Sequence, residues 1–360
     1  MKLAEIIKHY RSALEQKYGR WLLPGHHKAL DAIVNCQTSA CGEMLVECPD
    51  CHTREYRPHS CGHRNCPQCQ NHEATQWLER QRAKLLPVRY FLVTFTVPYE
   101  LRGLIWSNQR TAFDAIFKAA IEAMRELAGN HRYLGGEIGA TGVLHTHSRR
   151  LDFHPHLHFV VPAGAVDKKE KLWKRKRWKF LFPQKALAKL FKSKLIDHLA
   201  KKKLTIPLAA RKTDWVVDCK AAGHGEKALE YLSRYLYRGV LSEKSIVDDA
   251  DGNVTFSYID GKTGKTSYRT LPGENFLWLI VQHVLPKGFR RARDYGFLHG
   301  NAKKTLQLLQ LILHVKLPVP EDLPRPVFKC PKCGQAMNVL ACGLRDERHR
   351  SIGPPDRKTG

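Results

Sequence analysis

The sequence predicts an α+β fold: an antiparallel-sheet domain with helices, preceded by an N-terminal zinc-binding domain and followed by a small C-terminal cysteine cluster. Three observations carry this. Seven of the 11 cysteines fall between Cys36 and Cys69. The middle of the chain alternates β-branched or aromatic stretches with stretches of helical spacing, a pattern of strands mixed with helices. Two of its strand-like stretches, ATGVLHTHS and FHPHLHFVVP, are joined by a short turn around Arg149–Asp152, and strands linked that tightly pair antiparallel.

Taken in order, residues 1–76 hold a leading helix and the cysteine module, and residues 77–300 form the main domain with a basic insertion at 167–204. Residues 301–360 hold a leucine-rich helix, the linker LPVPEDLPRP and the second cysteine cluster, ending in a polar tail read as disordered. Within the main domain, RYFLVTFTVP reads as a buried strand closed by Pro98. Residues 107–128 place Phe113, Ile116, Phe117, Ala120, Ile121 and Met124 on one helical face. WVVDCK is another strand, residues 226–238 read as a helix after the turn AGHG, and VTFSYI and TSYRTL flank the hairpin turn DGKTGK.

Lys and Arg number 60 against 34 Asp and Glu, a formal charge of +26. A surplus of that size calls for a polyanionic partner, and nucleic acid is the natural one. The opening MKLAEIIKHYRSALEQKYG is amphipathic and charged throughout, without the apolar core of a signal peptide, and no long apolar run marks a membrane span. These features place the chain in a cytoplasm, where disulfides are disfavoured and paired cysteines read as metal ligands.

The knuckles Cys48-x2-Cys51 and Cys66-x2-Cys69 predict one tetrahedral zinc, because each supplies two thiolates from one tight turn. Cys36, Cys41, Cys61 and His63 are candidate ligands of a second. So small a module draws its folding energy from metal. Its expected task is DNA binding, with a purely structural role as the alternative. At the far end Cys330-x2-Cys333 and Cys342 offer three thiolates, which His349 would complete.

The segment LDFHPHLHFVV is the most informative. Alternate side chains of a strand share a face, so His154, His156 and His158 point one way while Leu157 and Phe159 point into the core. Two imidazoles at i and i+2 form a metal clamp. The hairpin brings His145 opposite the pair as third ligand; His154 is an alternative ligand or a DNA contact, and His147 is expected outside the ligand set.

In GEKALEYLSRYLYRG, Tyr231 and Tyr235 stand four apart on one helical face, while Tyr237 points away. Leu229, Leu232 and Leu236 form the buried stripe beside them, and Lys227, Arg234 and Arg238 flank the other side. A phenol between packed leucines and cations suits a nucleophile meant for a phosphate. The insertion carries 15 Lys or Arg, with Trp173, Trp178, Phe180 and Phe182 interleaved in its first half, a composition for single-strand contact. Its later half, with Leu187, Leu190, Phe191, Leu195 and Leu199, reads as packing. Arg291 and Arg293, beside Arg290, form a second candidate DNA patch.

The order of zinc knuckles, an FTVP strand, VLHTH…HPHLHFVVPAG, YLSRYLYR and HVLPKGFRRARDYGFL resembles the two-tyrosine rolling-circle transposases of bacterial insertion sequences. This is the insertion-sequence ninety-one family, related to Helitrons within the HUH endonuclease superfamily. The resemblance runs from about Cys36 to Cys333. It implies that His156-Leu157-His158 is the HUH motif with His145 as third metal histidine, that Tyr231 and Tyr235 are the catalytic tyrosines, and that the N-terminal cysteines bind zinc. Two departures stand out: His147 where the family often has Trp, and RRARDYG, where Asp294 alters a DNA contact. The implied activity is a prokaryotic, nucleoid-associated, metal-dependent single-strand DNA endonuclease and strand transferase. It would hold Mg²⁺ or Mn²⁺ and work through a 5′-phosphotyrosine link to element ends and target. An HUH replication initiator or relaxase shares this chemistry. A non-enzymatic zinc-dependent DNA-binding protein would need neither His156 nor His158, and a zinc hydrolase would need a general base that the histidine motif lacks.

Overall fold

The structure is a computed structural model that describes residues 2–69, 71–167, 169–170, 172–175, 181–237, 239–261, 263–315 and 327–343; of Tyr235 and Tyr237 it describes the backbone alone. The N-terminal part contains α1 (Leu3–Tyr18), α2 (Pro24–Val34), β1 (Glu43–Glu47), β2 (Arg54–Pro58) and α3 (Asn71–Arg82). The middle continues with β3 (Tyr90–Thr96), α4 (Arg102–Ser107), α5 (Gln109–Gly129), β4 (Ala140–His147), β5 (Phe153–Pro162), β6 (Gly164–Asp167), β7 (Leu172–Arg175), α6 (Gln184–Lys201), α7 (Leu208–Lys212), β8 (Val216–Ala221) and α8 (Glu226–Tyr237). Then follow β9 (Ile246–Ala250), β10 (Asn253–Ile259), β11 (Thr266–Pro272), α9 (Gly273–Val281), β12 (Ala292–Tyr295), α10 (Lys303–Ile312), β13 (Phe328–Lys329) and β14 (Ala336–Gly343).

The fold is α+β. Its centre is a five-stranded antiparallel sheet in the order β12-β4-β5-β3-β8. The period of two in the sequence decides what each face carries. Phe91, Val93 and Phe95 of β3, Leu144 of β4, and Leu157, Phe159 and Val161 of β5 enter the main core under α5 and α6, with Ile116, Phe117, Phe191 and Leu195. Gly142 sits opposite Phe159, whose ring would lie 2.4 Å from any Cβ placed there, so β4 must carry glycine at that point.

The other face carries Tyr90, Val143 and Val160, packed against Leu229, Leu232 and Leu236 of α8 and Trp77 of α3. Each of those buried leucines contributes roughly 1.5–3 kcal/mol of burial. They press α8 onto the sheet. The turn before it needs Gly225, which has φ +90° and lies against the Tyr90 ring. The histidines of β4 and β5 share this face.

Packing joins segments on either side of residues 76 and 300. Leu3, Ile6 and Ile7 of α1 share a core with Phe256 of β10 and Phe276 and Leu277 of α9. Tyr18 stacks on Trp278 at 4.7 Å. The C-terminal β14 pairs antiparallel with β1, extending the β1–β2 hairpin into a four-stranded sheet.

Two aromatics of the basic insertion are placed differently from expectation. Phe182 is 1% exposed in the main core, and Trp173 packs edge-on to Phe297 over Gly164, where its ring would collide with a Cβ. Phe182 is thus interior and Trp173 partly buried against its neighbours; Trp178 and Phe180 lie outside the described residues. The later half forms α6 and buries Leu187, Phe191, Leu195 and Leu199. Among the described residues no helix is long and apolar enough to cross a membrane.

Candidate active site and metal centres

The register of β4 and β5 sets His145 directly opposite His156 and places Val143 opposite His158. Three imidazoles thus converge: His145 and His158 ring centroids lie 4.5 Å apart, His156 and His158 4.9 Å, and His145 and His156 5.2 Å. One nitrogen from each falls within 4.8 Å of the others.

The donors fit a divalent cation. His156 Nδ1 donates to the His154 carbonyl at 2.7 Å, which leaves the Nε2 lone pair for a ligand. His158 Nδ1 is 2.9 Å from the Thr94 hydroxyl, and its Nε2 is buried without a hydrogen-bond partner among the described residues. Hydrogen bonds to the far ring nitrogen are how proteins orient metal-binding histidines. Burial pushes all three pKa values down: His158 to about 3, His156 below its usual value, His145 far below. At neutral pH the rings are therefore uncharged, as ligation requires.

Tyr231 completes the cluster. Its ring centroid lies 5.8 Å from that of His158 and 6.0 Å from that of His145. It is 38% exposed and opens onto a cavity of about 700 Å³ that the three histidines also line. Tyr235 occupies the next turn of α8; its side chain and the whole of Arg238 lie outside the described residues. Lys227 and Arg234 are exposed on the same helix, and Arg234 lines a separate hollow with Pro67 and Asn71 of the cysteine module.

Several cavity residues escaped the sequence reading. Thr94 and Thr96 line it from β3, and Ser257 and Tyr258 from β10, with Ser242 and Ser245 between α8 and β9. The available signal was two threonines at alternate positions of an otherwise apolar strand. His154 lines the cavity too but stands outside the converging trio. His147 lies 5.0 Å from His283, also outside the trio.

Of the second patch, Arg291 is placed differently from expectation. Arg291 is 8% exposed and close enough to His145 and His147 to depress both. It is an interior residue because β12 pairs with β4 at the sheet edge, between the histidines and Arg64. Arg293 pairs with Asp114 and lies 4.2 Å over the Phe117 ring. Asp294 accepts from Thr141 at 2.7 Å, Lys84 at 2.5 Å and Gln81 at 3.2 Å, so its carboxylate braces the end of α3 against β4.

The cysteines form two clusters, with a different partition from the predicted one. Cys66 and Cys69 gather with Cys36 and Cys61, and Cys48 and Cys51 gather with Cys330 and Cys333. The cause is the pairing of β14 with β1, which lays the C-terminal knuckle on Cys48-x2-Cys51. Sulfur separations are 3.4 Å for Cys48–Cys333, 3.5 Å for Cys51–Cys330 and 3.7 Å for Cys61–Cys69. Tetrahedral zinc with bonds of about 2.3 Å sets its sulfurs about 3.8 Å apart, so both sets fit zinc. Cys41 and His63 stand outside both sets: Cys41 Sγ bonds the Asn35 carbonyl, and His63 Nδ1 accepts from the Asn65 amide. Cys342 is exposed on β14 outside both clusters, and His349 lies outside the described residues.

A basic chain with two cysteine clusters that fit zinc, and a histidine trio facing a tyrosine-bearing helix, defines a zinc-module protein with a separate histidine-lined cavity whose donors fit a divalent cation. Comparison with known proteins narrows this class. A family described as "Putative transposase" matches residues 139–305, which span both histidine strands and α8, and one described as "Transposase zinc-binding domain" matches residues 6–97. The chain is 32% identical over 376 residues to "Putative transposase y4qJ" of Sinorhizobium fredii, covering 94% of each protein. It is 29% identical over 334 residues to the transposase for insertion sequence element IS801 of Pseudomonas savastanoi pv. phaseolicola, covering 86% of this chain and 80% of that one. The chain belongs to the IS91 family of insertion-sequence transposases.

Proposed function

We propose that this transposase nicks and rejoins single-stranded DNA through a 5′-phosphotyrosine intermediate, in a rolling-circle mode of the HUH type. The observation that carries the reading is Tyr231, half-exposed on α8 with its ring about 6 Å from His145 and His158 in one open cavity. His145, His156 and His158 would hold Mg²⁺ or Mn²⁺. Such an ion supplies charge neutralisation at a phosphate in the transition state, and imidazole ligands favour Mn²⁺ over Mg²⁺.

The chain's own groups account for the rest. The Tyr231 oxygen attacks phosphorus; a P–O(Tyr) bond forms as the P–O3′ bond breaks, and the phenol proton ends on the departing 3′ oxygen. The tyrosyl ester conserves the bond energy, so a later 3′-OH reverses the step without ATP. Ser242, Ser245 and Ser257 offer hydroxyls around the cavity. Arg149, tied through Nη1 to the Ile259 and Asp260 carbonyls, sets a cation at its edge. Tyr235, one turn on, is the candidate second nucleophile that would let two strands be held at once. Similarity to transposases over most of the chain favours element movement over replication initiation.

The test is to incubate the zinc-loaded protein with Mn²⁺ and single strands carrying element ends, then map the DNA-linked peptide. The expected adduct lies on Tyr231 or Tyr235 and disappears in the Tyr231→Phe/Tyr235→Phe double variant, while DNA binding persists. An adduct that survives the double change sinks the assignment.

A further inference from the structure

A second open cavity has a volume of about 730 Å³. Where β5 starts, its lining alternates along the chain with that of the histidine cavity: Leu151 and His154 line the histidine cavity, Asp152 and Phe153 the second. We propose that this trough, walled by Tyr99, Arg102, Trp106, Phe153 and Trp278, holds unpaired bases of the DNA strand whose neighbouring phosphate lies at the histidines. The proposal rests on the functional reading above and adds a binding site to it.

Its walls are aromatic and cationic. Tyr99 is 75% exposed, with the Arg102 guanidinium 5.1 Å from its ring. Trp106 stands edge-on to Phe153 at 5.3 Å and to Trp278 at 5.6 Å. Tyr18 backs Trp278 from behind, parallel within 2°, which holds that indole rigid. Lone exposed aromatics are ordinary on protein surfaces. Four lining one hollow are a stacking platform, since every base has a π-face and aromatic stacking tolerates any sequence.

Arg102 supplies the charge. Its Nε is buried without a hydrogen-bond partner, and no ion pair engages it among the described residues. A half-buried guanidinium left so is costly unless something anionic arrives. Of the trough's acids, Asp152 is tied to Arg269 at 2.8 Å, and Glu100 remains at the wall. Paired bases cannot enter such a hollow face-on, so the occupant is single-stranded.

The experiment measures binding of a labelled oligothymidine strand and of a duplex to the full zinc-loaded chain, comparing wild type with Tyr99→Ala and Arg102→Gln. Tyr99 is so exposed that its truncation spares the fold. Each change should weaken single-strand binding about tenfold and leave duplex binding unaltered. Irradiation of a strand containing iodouracil should crosslink to the peptides carrying Tyr99 or Trp106. Unchanged single-strand affinity in both variants, equal losses for duplex, or crosslinks confined to other surfaces would overturn the proposal. The adduct assay runs beside it. Adducts without trough dependence leave the chemistry standing and remove the trough; trough dependence without adducts does the reverse.

Discussion

At the scale of single residues, the histidine trio depends on neighbours outside it. The Thr94 hydroxyl meets His158 Nδ1 because β3 pairs with β5 at Thr94↔His158. Thr94→Val keeps the side-chain shape and removes that partner. On the proposed reading it should weaken Mn²⁺ binding by about 10–100-fold with zinc content and fold unchanged, as followed by Mn²⁺ titration under electron paramagnetic resonance. An unaltered affinity would show that something other than Thr94 orients the ring. The histidines themselves were legible in the sequence, because period two on adjacent strands is a local rule. Thr94 was not. Its part follows from which strand lies beside β5, and β3 is distant from β5 in the chain. Arg291 illustrates the same limit: an arginine among arginines reads as a surface cation, whereas strand pairing at the sheet edge makes it an interior one.

At the scale of elements, β3, α5, the β4–β5 hairpin, β8, α8 and the β10–β11 hairpin all follow from local period and turn chemistry. The partition of the cysteine knuckles does not. Three C-x2-C knuckles are chemically equivalent, and nearness in sequence favoured joining Cys48–Cys51 to Cys66–Cys69. The strand pair β1–β14 decides otherwise, closing Cys48 on Cys333 across a separation of 285 positions. The two clusters should therefore respond differently to loss. The Cys330→Ser/Cys333→Ser double variant should bind one zinc instead of two and expose β14 amides to hydrogen exchange, with little change in the thermal midpoint of the main domain. Cys66→Ser strikes a cluster packed in the same core as Leu3, Ile6, Phe256 and Phe276, so it should lower that midpoint markedly, because structural zinc contributes folding energy directly. Metal analysis with calorimetry separates the two; equal destabilisation would mean that the C-terminal clasp is as deeply integrated as the N-terminal one.

At the scale of the whole molecule, helices from the N-terminal segment, the three-stranded sheet β11-β10-β9 and α9 form one core beside the five-stranded sheet, so stability is shared between parts that the sequence separates. Two histidines in these packings carry a pH dependence of their own. Burial first, and His27 second, pushes His26 down to about 4; burial likewise pushes His283 down to about 4. Neither belongs to the converging trio. In the unfolded chain each titrates near 6.5. Between the two values the unfolded state binds more protons, so stability is complete above about pH 6.5 and is lost as pH falls toward 4. Each residue then costs about 2 kcal/mol between pH 7.5 and pH 5. Acid also protonates thiolates and would release zinc, so the fall in wild type alone assigns nothing. The comparison with His26→Gln does. That variant, less stable at pH 7.5, should lose about 2 kcal/mol less than wild type on acidification to pH 5 in urea unfolding, because the residue that must stay uncharged is gone while the thiolates are the same. Parallel pH profiles for the two proteins would show that His26 is protonated as readily folded as unfolded, and that the packing around Trp106 admits the charge.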